Sequence, residues 1–443
     1  MKKKLLVVAL LGACASAHAA WVTTDLGSLG EYGSTRALGI GGHVAGESIP
    51  VSGGPMFAFR TGPDGMQLLS GIPGSVYTSG AAVNGAGDVV GQTAKPDLTY
   101  SGFVYSHGVM TELTLGGSNA EANHINHIGQ VIGSSATPGD AAQQGFLYSR
   151  GVMTPLSMGG ALTIPSGINA SGQVAGYGIV GNDYEQTRAF LYSKGVMTDL
   201  GTLPGGTIAA SSAINDAGQI AGYASVSATP TYHAFRYDNG VMTDLGTLGG
   251  PNSFAVSING AGLVIGYSDT ANGGGYNKYH AFVSDGQQMT DLGTLGGAWS
   301  FASGINGAGQ IVGSTALANG KEVPFLYENG AMHNVAELVT GFDQVSSYIQ
   351  LNELGQIAGT GLLDGKPHAF LLTWVPDGGS QGGTPATASM TLTTASKTET
   401  AAGNTRQPVT TGKSGKLTAL EAMMAKRGLQ CPPPYCTAPA RKK

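Results

Sequence analysis

Apolar and polar positions alternate along this chain in runs of four to eight residues, each closed by Gly, Asn or Asp. Period-two alternation punctuated by turn residues predicts half-buried strands rather than helices. The runs recur as a unit that reads A-x-x-I-N-x-x-G-Q-I-x-G-Y, a variable stretch, H-A-F-x-Y, then N-G-V-M-T-D-L-G-T-L-G-G. Its first strand, a, ends in Ile-Asn, as at Ser303–Asn306. Asn-x-x-Gly then places Asn at the first and Gly at the fourth position of a type I turn, where each is favoured. Strand b is the Gln310–Gly313 type of run, strand c carries the Phe, and strand d is the Val241–Leu245 type. A pair such as Asn239-Gly240 between c and d is the signature of a tight hairpin.

The unit repeats eight times. Its Asn falls at Asn84, Asn126, Asn169, Asn215, Asn259, Asn306 and Asn352, with Gly39 in a degenerate first copy. The aromatic anchor recurs as Phe59, Phe103, Phe146, Phe190, Phe235, Phe282, Phe325 and Phe370. Spacings of 42 to 47 residues with four strands per unit predict an all-β fold, an eight-bladed β-propeller of four-stranded blades over residues 21–375. The last unit lacks its strand d, while a lone strand of that type, Trp21–Leu26, precedes the first unit. The N-terminal strand is therefore expected to complete the last blade and close the ring, leaving few exposed edges.

His233-Ala234-Phe235, His280-Ala281-Phe282 and His368-Ala369-Phe370, with the flanking run at 240–250, resemble the triplet and repeat of the HAF family of extracellular repeat proteins. Phe57-Ala58-Phe59, Ser101-Gly102-Phe103, Arg188-Ala189-Phe190 and Val323-Pro324-Phe325 depart from it. The resemblance implies an exported bacterial protein and supplies no catalytic residues.

The chain start agrees with export. Lys2–Lys4, the apolar run Leu5–Ala13 and Ala17-His18-Ala19 follow the charged, apolar, small-residue order of a signal peptide over 1–19. Leu11-Gly12-Ala13-Cys14 also resembles a lipobox, which would put a lipid anchor on Cys14 and make the product an outer-membrane lipoprotein. Otherwise the product is secreted or periplasmic. No later segment is long and apolar enough for a transmembrane helix. Cys431 and Cys436 enclose Pro-Pro-Pro-Tyr and read as a local disulfide in an oxidising compartment.

Composition narrows the picture. Gly supplies 73 of 443 residues and charged residues only 11%, which excludes a coiled coil or a charge-rich disordered chain. Residues 21–375 carry 10 Lys/Arg and 24 Asp/Glu, a net −14, which disfavours nucleic acid as a partner. Residues 376–443 carry 9 and 3, a net +6. Within them, 376–412 has the Thr/Ser/Gly-rich make-up of a flexible linker. Leu417, Leu420 and Met424 then fall at helical spacing, giving a basic tail (413–443) with a short helix and the Cys pair.

Candidate chemistry concentrates in the b–c connections, which vary most in length and share one face of the disc with the d–a links. Asp183, Glu185 and Asp269 are the loop acids, and Tyr184, Tyr232, Tyr276 and Tyr279 lie in or beside the same loops. Exposed Tyr could stack on sugar rings or pack on a protein partner. The recurring strand-c His reads as structural, because the copies are a blade apart, and His124-x-x-His127 spans a turn without further ligands; no metal and no cofactor are expected. Asp25, Glu112, Asp199, Asp244 and Asp291 read as solvated edge charges on the outer strands. Neither G-x-S-x-G nor H-E-x-x-H occurs. These features favour an exported, non-enzymatic binding or surface scaffold for a glycan or protein ligand. The alternative is a carbohydrate-active hydrolase or lyase using the loop carboxylates.

Overall fold

The computed structural model describes residues 20–62, 65–181, 183, 186–227, 231–271 and 278–376. The expected signal peptide with Cys14, the linker and tail beyond Pro376, the Cys431–Cys436 pair, and Tyr184, Glu185 and Tyr276 lie outside these residues.

Eight four-stranded antiparallel sheets account for almost all the described chain. Seven are consecutive meanders: blade 1 is Tyr32–Leu38, Val44–Ile49, Phe57–Gly62 and Gly65–Leu69, and blade 7 is Gly296–Ile305, Ile311–Leu317, Glu322–Glu328 and Ala331–Asn334. The eighth is assembled from both ends. Gln344–Leu351, Ile357–Leu363 and Lys366–Val375 supply strands a to c, and Ala20–Ser28 pairs with the last of them as strand d. Trp21 stands opposite Trp374, and the two indoles meet edge to face at 5.4 Å. The closure expected from the missing and surplus strands is what the molecule does.

The core repeats with the sequence. All eight strand-c Phe side chains have no exposure. Each lies between blades, as Phe235 of blade 5 does against Ala175 and Ala189 of blade 4. Burying a Phe so completely contributes about 2–3 kcal/mol, and here it fixes the blade-to-blade packing.

The strand-b Gly of the G-Q-I-x-G run has a steric cause. Strand a carries a β-bulge in blades 1 to 7, for example between Ala302 and Gly304. The bulge presses a strand-a carbonyl onto strand b, where a Cβ on Gly313 would collide with the Phe301 oxygen and the Phe325 ring. The c–d hairpins are equally specific. Asn239 and Gly240 both have positive φ, at 48° and 88°, the type I′ geometry that suits the strand twist.

Candidate functional site: a polar cavity in the central channel

The a–b turns carry the most regular chemistry in the molecule. Each Asn of the N-x-x-G motif accepts backbone N–H groups of its own turn, as Asn306 Oδ1 does from Gln310 N at 3.0 Å. Its Nδ2 then donates to the backbone oxygen of the equivalent residue in the next blade. The series runs Asn84 to Asn126 (3.4 Å), Asn126 to Asn169 (3.0 Å), Asn169 to Asn215 (3.1 Å) and Asn215 to Asn259 (2.9 Å). It continues Asn259 to Asn306 (3.1 Å), Asn306 to Asn352 (3.3 Å) and Asn352 to Gly39 (3.1 Å). Only the step from Gly39 to Asn84 lacks a side chain. The motif thus both shapes the turn and staples the blades into a ring.

At the opposite face, the strand-c His pairs with the strand-d acid of its own blade. His233 Nδ1 lies 2.9 Å from Asp244, His280 Nδ1 2.8 Å from Asp291, and His368 Nδ1 3.0 Å from Asp25. Each acid also accepts the N–H of the Gly two residues on, as Asp244 does from Gly246 at 2.7 Å. Burial opposes the charge on Asp244, but hydrogen bonds from His233 and Gly246 outweigh it and hold the carboxyl below its usual range. Asp25, Asp244 and Asp291 are thus exposed edge charges that are also partners in hairpin staples.

Three candidates from the loop reading lie at strand ends beside those loops, with side chains buried or half-buried. Asp269 is fully buried near the end of Val264–Thr270, where its carboxylate accepts the Asn252 backbone and side-chain N–H groups at 3.1 and 2.9 Å. Tyr232 is 2% exposed, at the start of strand Tyr232–Asp238. Tyr279 packs half-buried against Phe254, Tyr267 and Phe301, and burial together with the charge of Asp269 pushes its phenol up to about 12. Strands b and c run further toward this face than the pattern suggested, so Asp269 and Tyr232 are buried and Tyr279 is half-buried. Asp183 is exposed in the loop of blade 4, where it accepts Gln186 Nε2 at 3.4 Å, whereas Tyr232 belongs to blade 5 and Asp269 and Tyr279 to blade 6.

The channel wall is divided, and the division is not visible in any single repeat. Aligning the blades by register sets one strand-a residue opposite one strand-b residue just outside the bulge. In blades 1 to 3 these pairs are Ser34 with Glu47, Ser79 with Gln92, and Glu121 with Ser134. In blades 4 to 7 they are Ile164 with Tyr177, Ala210 with Tyr223, Phe254 with Tyr267, and Phe301 with Ser314. The second arc fills its space with rings: Tyr223, Tyr232, Phe254, Tyr267, Tyr279, Phe301 and Trp299 form a chain of contacts at 5.0 to 6.4 Å.

The first arc is left open. A cavity of about 260 Å³ is lined by Arg36, Tyr77, Ser79, Gln92, Glu121, Asn123 and Tyr348, with backbone and small residues between them. These come from blades 1, 2, 3 and 8, so the cavity straddles the place where the ring closes. Glu47 backs it. That carboxylate is 4% exposed and accepts Arg36 Nη2 at 2.8 Å, Ser34 Oγ at 3.0 Å and Ser79 Oγ at 2.8 Å. Burial opposes the charge on Arg36, but Glu47 outweighs it and keeps the guanidinium firmly protonated. Burial, with the nearby charge of Glu47, also raises the Tyr77 phenol, so Tyr77 remains a hydrogen-bond donor. On the far wall Glu121 takes Asn123 Nδ2 at 3.0 Å and Ser134 Oγ at 3.4 Å through one oxygen. His124 follows in the same strand and is exposed. Among the described residues no three His, Cys, Asp or Glu side chains converge as a metal site.

Sequence reasoning missed this cavity because it sought function in the variable loops. The available signal was internal: the strand-b position after the Gly reads Tyr in blades 4 to 6 but Glu47, Gln92 and Ser134 in blades 1 to 3.

No family model matches the chain, and no curated protein is similar to it. Among solved structures it resembles the β-propeller domain of the Trilobed protease from Pyrococcus furiosus, with 8% identity, a TM-score of 0.46, and coverage of 70% of this chain and 96% of that one. It also resembles dipeptidyl peptidase 4 from Porphyromonas gingivalis, with 10% identity, a TM-score of 0.48 and coverage of 75% of this chain; it spans 56% of that chain's length.

Proposed function

We propose that this protein is an exported, non-enzymatic binding scaffold that holds a glycan in the polar arc of its central channel. The observation that carries this reading is the division of the wall: one arc is lined by its own packed rings, and the other has a cavity walled by hydrogen-bonding side chains and two Tyr. Arg, Glu, Asn and Gln offer donors and acceptors to hydroxyl groups from a fixed frame, and Tyr77 and Tyr348 offer faces for a sugar ring. Export rests on the leader-like start and on the likeness to HAF repeats.

The test is retention of the full exported chain on a panel of bacterial and plant polysaccharides, with product release followed in the same tubes. Retention without products, weakened at least fivefold by Tyr348→Ala, is the expected result. Released products would replace the scaffold with an enzyme. Failure to be retained by any polysaccharide would remove the glycan.

A further inference from the structure

The cavity is backed by one ion pair, Arg36 with Glu47, that a neutral glycan site does not require. Glu47 sits almost fully buried on three hydrogen bonds, two from Ser34 and Ser79 and one from Arg36. Taking an ion pair out of water is costly, and replacement by apolar residues is often neutral or stabilising. Blades 4 to 6 make that replacement, with Tyr at the strand-b position held by Glu47 in blade 1. The pair is therefore not needed to build a blade. Its visible effect is on Arg36: one N–H is fixed to Glu47 while the side chain stays 47% exposed toward the cavity. A guanidinium has five donors in a planar fork, and held in this way it presents the remaining ones in a set direction. Tyr77 and Tyr348, lining the same cavity, add phenol donors.

Resting on the glycan reading above, we infer that the ligand is an acidic saccharide, one uronate unit whose carboxylate is read by Arg36 with Tyr77 and Tyr348. The opposite wall fits the rest of such a unit. Glu121 has one carboxylate oxygen engaged by Asn123 and Ser134, and its other oxygen, with Gln92 and Asn123, meets donor hydroxyls. A carboxylate on that side of the ligand would be repelled, so the site sets orientation as well as identity. The body's net −14 repels anions at long range, which disfavours a chain of many carboxylates and favours a single acid unit in contact with Arg36. A cavity of about 260 Å³ lies below the range usual for drug-sized ligands, in keeping with a single sugar unit.

Calorimetric titration of the full chain with sodium glucuronate, glucose and sodium glutamate tests this. Glucuronate is expected to bind about tenfold tighter than glucose, the scale of a hydrogen bond to a charged group, and glutamate more weakly than glucuronate. Arg36→Gln should bring the glucuronate-to-glucose ratio to about one. Because Arg36→Gln strands a buried carboxylate, R36Q/E47Q is measured beside it, with melting curves for both. Equal binding of the two sugars by the unaltered protein, or a preference for glutamate, overturns the acidic-sugar inference. A ratio that survives in both folded variants overturns it too. If neither monosaccharide binds while polysaccharide retention persists, this inference fails and the glycan reading stands; if retention is absent as well, both fall.

Discussion

At the scale of single residues, the motif Asn does two jobs with one amide group. Its oxygen accepts turn amides, and its Nδ2 donates across the blade boundary, as Asn215 does to Asn259 at 2.9 Å. Asn215→Ala should therefore cost about 2–3 kcal/mol, since it strands a buried carbonyl and an unsupported turn, measured by urea unfolding. Asn215→Asp should be no better, because a carboxylate cannot donate. The His–Asp staples give a pH prediction whose sign is fixed. The Asp244 carboxyl titrates below its unfolded value, so its contribution is complete above about pH 4 and is lost as pH falls through the folded pKa. Melting temperature should drop on acidification below about pH 4, and Asp244→Asn should flatten that part of the profile. A profile that Asp244→Asn leaves unaltered would show that the staple carries no linkage.

Elements show what was legible and why. The Asn-x-x-Gly turns, present in seven of the eight units, and the Phe, present in all eight, encode local geometry whose repetition is an alignment inside one chain. The fold followed from it. Element ends did not. The pattern leaves Asp269, Tyr232 and Tyr279 in or beside loops, because alternation does not say how far a strand continues past its last patterned residue. The cavity was illegible for a different reason. Arg36 and Tyr348 are 312 positions apart and become neighbours only because blade 8 lies against blade 1. The closing strand is the element on which that neighbourhood depends. Removing Ala20–Ser28 would bare the edge of Lys366–Val375 and undo the Trp21–Trp374 contact. Loss of a cooperative melt, or a fall of at least 10 °C, is expected, together with self-association on gel filtration. An unchanged melting temperature would argue that the closing strand is ornamental.

Across the whole molecule, the Phe clusters, the Asn ring and the paired ends distribute stability around a circle, so that damage anywhere acts on two interfaces. Phe235→Ala should cost about 3–5 kcal/mol by denaturant titration, because Phe235 anchors its own blade and packs on blade 4. The joined ends also set a timetable. The first strand to be made or delivered has no partner until the last one arrives, and Val22 waits for Thr373 across nearly the full ring. Contacts so distant along the chain close slowly. Until they do, the outer edge of the last blade stays open, and so does the seam beside which Arg36 and Tyr348 meet. On the export proposed above, a chain threaded through a membrane in extended form would lose nothing by this, since its ring can shut only once both ends are on the same side. Rejoining Val375 to Ala20 through a short linker and opening the chain at Pro204–Gly205 would put the late pairing next to itself in sequence. Such a permutant should reach its native fluorescence faster than the natural order while keeping the cavity, which would make the slow step of assembly the return of the first strand.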